Sequence, residues 1–439
     1  MTSEICVMNR MSVVLAADSA STISYYENGA LQQRYFKGAN KVFQLSNTHP
    51  VGLMIFGNAE IMGVPWELAI KAFRKHLSNS SFDTVEGYAK AFQQFLNDNQ
   101  QLFPDERRDE NFAHAIELQS VICCKNFNEE ADANQDFNEA NCISELNDQV
   151  QNLHFENELD SEFLASLLET WPERILQNLR HEDSAVFHPH LKERSDARLK
   201  EIVSLAIILK AKQPPESPTG LVFAGFGDSS VYPEAYAVQK AGFIARDIVM
   251  AETEAIVIGQ HLNSYISGFA QSSMADTFIM GFDAQAYETI QGVYDQSLPE
   301  LLAPFIAEFG GGTEYTDSGV VLKNAEGDVL MDEEAFKQTT LEVIAPVGGS
   351  ILQESRQKHG APLERVISML PVEEMAELAA TMVDLQSLKE KVTRPSETVG
   401  GPVDVAIITK NEGLVWKKRK HFFDIDLNQR YLRRLHSND

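Results

Sequence analysis

A chain of 439 residues, 44% of them hydrophobic, is long enough for one large domain or two to three ordinary ones and apolar enough to bury a sizeable core. A formal net charge of −27 argues against a general binder of nucleic acid or anionic membrane, because such contact surfaces are built from Lys and Arg. Four cysteines, Cys6, Cys123, Cys124 and Cys142, are too few and too irregular for a disulfide framework and read as free thiols of a reducing compartment. No apolar run is long enough to predict a membrane span. The N-terminus lacks the charged start and long apolar region of a signal peptide. A cytoplasmic protein that begins at its natural N-terminus is therefore expected.

In chain order, the first predicted strand is Ser12–Ala17 (SVVLAA), which runs into Asp18. A lone lysine, Lys41, stands in the phrase KGANKVFQL. A second strand, Val51–Phe56, ends on Gly57, and a helix is expected to follow. After Pro65, the residues Trp66, Leu68, Ala69, Ala72 and Phe73 suit one side of that helix. Asp83, with Glu86 three residues on, reads as a capping box for the next, whose apolar face is Val85, Tyr88, Ala89, Phe92 and Leu96. From Asn126 to Glu169 there is no Lys or Arg while acidic residues accumulate, which predicts a solvated spacer. Strands at Gly220–Gly225 and Pro402–Thr409 flank two further helical patterns, at Tyr287–Tyr294 and Val372–Leu385. A basic run, Trp416–His421, closes the pattern and reads as a solvated or subunit-contact tail. Strands grouped at both ends and in the middle, with paired helices between them, suggest two sheets packed between helix layers.

Common catalytic motifs are weak or missing. Gly225-Phe-Gly227 lacks the third glycine of a dinucleotide fingerprint. His181, His188 and His190 have no Cys or acidic partner at ligand spacing on an ordered element and read as surface histidines, and neither a metal nor an organic cofactor is expected. The informative residue is Thr2. A small residue after Met1 favours removal of the methionine, and an N-terminal Thr carries its own base: an α-amine with a pKa of about 7.7–8.0 within reach of the hydroxyl. Thr2, Asp18, Lys41 and Gly57 then occur in order, each at or beside a strand end. A Gly at a strand end can turn its N–H toward a developing oxyanion.

On these residues the sequence resembles the proteasome β-subunit family and its bacterial two-component protease relatives, which are N-terminal-nucleophile hydrolases. VVLAADSAST is similar to the family strand whose Asp follows the nucleophile by about fifteen residues. NKVFQL resembles the strand of the catalytic lysine, VGLMIFGNAE the strand of the oxyanion glycine, and GGPVDVAIITKNEGLVW the closing block. LVFAGFGDSSVYPEAYAV is similar to the central hairpin strands.

The resemblance implies an α+β fold, a four-layer αββα sandwich, in a single domain over 1–439 with insertions at 125–218 (acidic, helical or partly disordered) and 310–361. It implies a threonine peptidase acting on peptides or unfolded proteins, with Thr2 as nucleophile, Lys41 tuning it, Asp18 holding Lys41, and Gly57 at the oxyanion. It implies a homo-oligomer, a ring or filament, and leaves open an ATP-driven unfoldase partner. The serine that contacts the terminal amine matches either Gly259-Gln260-His261 or Ala270-Gln271-Ser272-Ser273. A second hydroxyl and carboxylate fall among Ser396, Glu397 and Thr398. A catalytically inactive ring subunit and a small-molecule amidase of the same fold remain alternatives.

Overall fold

The structure, a computed structural model, describes residues 2–27, 30–133, 138–152, 161–181, 194–213, 219–283, 349–393 and 399–421, with shorter stretches within 285–331 and 423–430. It is an α+β arrangement of antiparallel sheets and helices. The strands are β1 (Ser3–Asn9), β2 (Ser12–Ala17), β3 (Ala20–Glu27), β4 (Ala30–Lys37), β5 (Val42–Gln44), β6 (Val51–Gly57), β7 (Glu60–Ile61), β8 (Val64–Pro65), β9 (Thr219–Gly225), β10 (Glu234–Ile244), β11 (Asp247–Val257), β12 (Ser264–Ala270), β13 (Thr313–Thr316), β14 (Gly319–Lys323), β15 (Val329–Met331), β16 (Asp404–Thr409) and β17 (Gly413–Lys418). One five-stranded sheet has the order β12-β1-β2-β16-β17, and a second has the order β11-β10-β9-β6-β5.

Alternation along the strands decides which face meets what. Cys6, Met8, Val13, Leu15 and Ala17 point from the first sheet toward Met54, Val222, Ala224, Ala235 and Ala237 of the second. Their neighbours Ile5, Val7, Val14, Ala16, Val405 and Ile407 point the other way. They bury against the helix Val372–Thr393 through Met375, Ala379, Met382 and Val383. The outer face of the second sheet, with Leu53, Ile55, Leu221 and Phe223, packs on helices α1 (Trp66–Leu77) and α2 (Val85–Asp98). Both faces of each sheet are thus covered. This is why SVVLAA reads as a continuous apolar run rather than an alternating one, and all six of its residues are buried.

Helices α3 (Asp105–Ala133), α4 (Glu139–Asn152), α5 (Ser161–Arg180) and α6 (Asp196–Lys212) bring together Phe112, Ile116, Trp171, Ile175, Ile202 and Val203. This cluster continues into Ile244, Ala245 and Val249 at the β10–β11 turn. Asp109 fastens the same corner, accepting two 2.8 Å bonds from Arg246 and one of 3.1 Å from Arg174. Where it is described, the acidic stretch 126–169 is helical, with Phe127 and Ile143 buried. Residues 134–137 and 153–160, and most of 310–361, lie outside the described residues.

Several sequence expectations are corrected. The cap of α2 is Thr84, not Asp83: its Oγ1 accepts from the Gly87 backbone N–H. Phe92, Phe95 and Phe103, which after Asp83 make more aromatic surface than one helix face usually buries and so suggest a subunit contact, are covered within the chain. Phe92 and Phe103 are buried in the core under the second sheet, and Phe95 packs against it. The basic tail is partly occupied within the chain, since Lys420 forms an ion pair with the buried Asp404 and Arg419 lies over the Trp416 ring. The helical pattern at Tyr287–Tyr294 is described only in part, and there Ile290 and Val293 are exposed.

Candidate active site

Thr2 and Glu4 lie on the face of the N-terminal strand that also carries Cys6 and Met8, so all four side chains are directed between the sheets. Thr2 and Glu4 are buried at the mouth of that space. Asp18 follows β2 directly, and its backbone N–H donates to the Ser3 carbonyl at 3.1 Å. The Asp18 carboxylate accepts from Ser3 N at 3.2 Å, from Ala20 N at 3.3 Å and from Gly400 N at 2.7 Å. The last bond uses the open geometry of Gly400-Gly401, whose φ values of 142° and 86° suit glycine. Lys41 stands just before β5, where its carbonyl accepts from Ile55 N at 2.9 Å. Its Nζ donates to Asp18 Oδ1.

Gly57 closes β6 with φ 79°, a left-handed conformation that a Cβ disfavours. It shares with Thr2, Lys41, Ser21, Thr22 and Asn58 the lining of a cavity of about 410 Å³. Three of the four residues singled out from the sequence, Thr2, Lys41 and Gly57, therefore line one space, and the fourth, Asp18, reaches it through its bond from Lys41. The expected helix start is not part of it. The short β7–β8 hairpin intervenes, and the first residue of α1, Trp66, directs its N–H to the Ala59 carbonyl at 3.1 Å.

Of the two serine candidates, strand register separates them. Ser3 lies opposite Ala270, and Gln271 N donates to the Thr2 carbonyl at 2.9 Å, so the Ala270–Ser273 phrase adjoins the site. Gly259 is near the far end of the strand pair, where its carbonyl accepts from Arg10. That is on the order of 20 Å away at about 3.3 Å per residue. Ser272 Oγ is committed to Asp276 and Ser273 Oγ to Gln386 and Lys389. Ser396, Glu397 and Thr398 lie outside the described residues.

Sequence reasoning missed Glu4. Thr2 Oγ1 donates to Glu4 Oε2 at 3.2 Å, and Lys41 Nζ lies 3.3 Å from Glu4 Oε1. Burial in the sheet mouth pushes the Glu4 carboxyl up to about 7. Lys41 opposes this, the Asp18 charge adds to it, and hydrogen bonds from Thr2 and Lys41 oppose it in a smaller way. The signal was available in the pattern: TSEICVM puts a carboxylate on the same face as Cys6 and Met8, where a strand otherwise carries core residues.

Among the described residues no cluster of His, Cys, Asp and Glu could hold a metal ion, and no helix is long and apolar enough to cross a membrane. No protein-family model matches the chain. No curated protein matches it either. Among solved structures it is similar to the Anbu (Gly-1) mutant from Hyphomicrobium sp. strain MC1. That similarity has 9% identity, covers 100% of this chain and 96% of the other, and has a TM-score of 0.26.

Proposed function

We propose that the chain is a threonine-type N-terminal-nucleophile peptidase with a proteasome-like four-layer αββα fold, the segments 125–218 and 310–361 being insertions into one domain. The observation that carries this reading is the convergence of Thr2, Lys41 and Gly57 on one cavity, with Asp18 bonded to Lys41 behind it. Removal of Met1 frees the Thr2 amine. Thr2 Oγ attacks an amide carbonyl, the charge of Lys41 favours the deprotonated nucleophile, and Asp18 holds Lys41 in place. The Gly57 N–H stabilises the oxyanion, an interaction typically worth about 3 kcal/mol for one donor. A second cavity of about 300 Å³ shares Asn58 and Glu60 with the first, which supports a substrate several residues long over a small amide.

Thr2→Ala is expected to lower hydrolysis of fluorogenic peptide amides by on the order of 10⁴-fold or more. An intact mass of the active wild-type protein should correspond to residues 2–439. Retained Met1 in an active preparation, or an active Thr2→Ala variant, sinks the reading. Cleavage of small amides in preference to peptides turns it toward an amidase.

The proposal includes a closed homo-oligomer, since an open peptidase site would attack neighbouring proteins and repeated head-to-tail contacts close into rings or run on as filaments. Light scattering is expected to give a mass several times 49.0 kDa. A monomer with full peptidase activity refutes the enclosure.

A further inference from the structure

The proposed mechanism uses Thr2, Asp18, Lys41 and Gly57, and leaves one buried carboxylate beside the nucleophile without a role. Glu4 is fully buried, and Oε2 accepts the hydrogen bond of the very hydroxyl that would attack. Its other oxygen, Oε1, lies 3.3 Å from the Lys41 ammonium. A carboxylate taken this far out of water costs several kcal/mol unless it is compensated. As a core residue it would be poorly chosen, because the next side chains on the same face are Cys6 and Met8.

The geometry points to Glu4 as the catalytic base that takes the Thr2 hydroxyl proton. This rests on Thr2 being the nucleophile and replaces the terminal amine in that one step. As attack begins, the Thr2 Oγ–H bond breaks and its proton moves to Glu4 Oε2. Oγ bonds to the amide carbon, and the carbonyl π pair moves onto the oxygen. When the tetrahedral species collapses, the C–N bond breaks and the Glu4 proton goes to the leaving amine. Water then attacks the ester carbon and gives a proton to Glu4; the acyl C–Oγ bond breaks, the carboxylic acid product leaves, and the Glu4 proton returns to Oγ to restore the Thr2 hydroxyl.

The separation of 3.2 Å is within the range for such a transfer. A base of pKa near 7 balances availability against proton-accepting strength at neutral pH, and Glu4 meets that condition because burial opposes its charge. The charged groups facing it are Lys41 and Asp18, joined by the Thr2 ammonium once Met1 is removed. The facing strand β12 contributes Phe269, opposite Glu4, which carries no charge.

The test follows acylation of Thr2 by an aryl β-lactone, read by intact mass and peptide mapping. The wild-type full chain is expected to gain the lactone mass at Thr2, at a rate that rises through pH 7. Glu4→Gln is expected to slow acylation at pH 8 by about 10²–10⁴-fold and to flatten that limb. Glu4→Asp, which keeps a carboxylate, should recover part of the rate. Glu4→Gln acylated at the wild-type rate with the same pH limb overturns the proposal and leaves Thr2 as nucleophile. Wild type unlabelled at Thr2, or Thr2→Ala labelled equally, overturns both readings. Should Glu4→Gln fail to fold, the infrared carbonyl band of Glu4, assigned with Glu4→Asp, still decides: a midpoint near 7 supports the role, and an ordinary carboxylate midpoint overturns it.

Discussion

Lys41→Met is expected to remove peptide hydrolysis, with a loss of about 10²–10⁴-fold in kcat/KM. Lys41 is held between two buried carboxylates: its Nζ donates to Asp18 and lies 3.3 Å from Glu4, with its side chain 6% exposed. Methionine keeps the length of the stem and deletes the charge. What remains is Asp18, still held by the N–H groups of Ser3, Ala20 and Gly400, and Glu4, without the Lys41 counter-ion. Breaking a buried pair in this way typically costs about 3–5 kcal/mol. Glu4 can relieve part of that cost by keeping its proton, so the variant should be less destabilised at pH 6 than at pH 8. Activity and thermal melting are therefore measured together at both pH values. Lost turnover at pH 6 in a variant that melts like wild type assigns the loss to chemistry. Turnover equal to wild type removes Lys41 from the mechanism.

A second large effect concerns stability against pH. The Glu4 carboxyl rises from an ordinary 4.5 to about 7 on folding. Between those values the folded chain binds a proton that the unfolded chain has released. By linkage, stability then falls as pH rises. The contribution is fully present below about pH 4.5 and is lost as pH climbs through 7. At about 1.4 kcal/mol per pH unit, the change is roughly 3 kcal/mol. Glu4→Gln cannot titrate, so its stability relative to wild type is expected to improve by about that amount between pH 4.5 and pH 8. Urea unfolding of the two proteins across this range measures the difference directly. A constant offset at all pH values would falsify the assigned environment of Glu4.

Much of the architecture is legible in the sequence because its signals are local. Runs such as SVVLAA and VGLMIF are apolar on both faces since each sheet is covered twice, and their ends are marked by Asp18 and Gly57. Helix α2 is readable from the spacing of Val85, Tyr88, Ala89, Phe92 and Leu96, all of which are buried. The first strand, Ser3–Asn9, is less readable, because Ser3, Glu4 and Asn9 break its apolar run although every residue of it is buried. Phe92 and Phe103 read as excess surface in the sequence for the opposite reason. A helix taken alone shows no second sheet to cover it, and that cover comes in part from Leu221 and Phe223, more than a hundred positions away.

The sequence by itself determined which side chains could do chemistry and the strand ends that carry them. Thr2, Asp18, Lys41 and Gly57 are marked by residue type and by position beside apolar runs, both of which are short-range properties. Only the tertiary structure decided what surrounds them. Gly400 reaches Asp18 across the first sheet, Gln271 rather than the Gly259 phrase meets Thr2, and Glu4 comes to share Lys41 with Asp18. Those outcomes depend on strand register between segments far apart in the chain. Register is set by how whole faces bury, so the local pattern could place Glu4 on the same strand face as Thr2 but could not specify that its carboxylate would share Lys41 with Asp18.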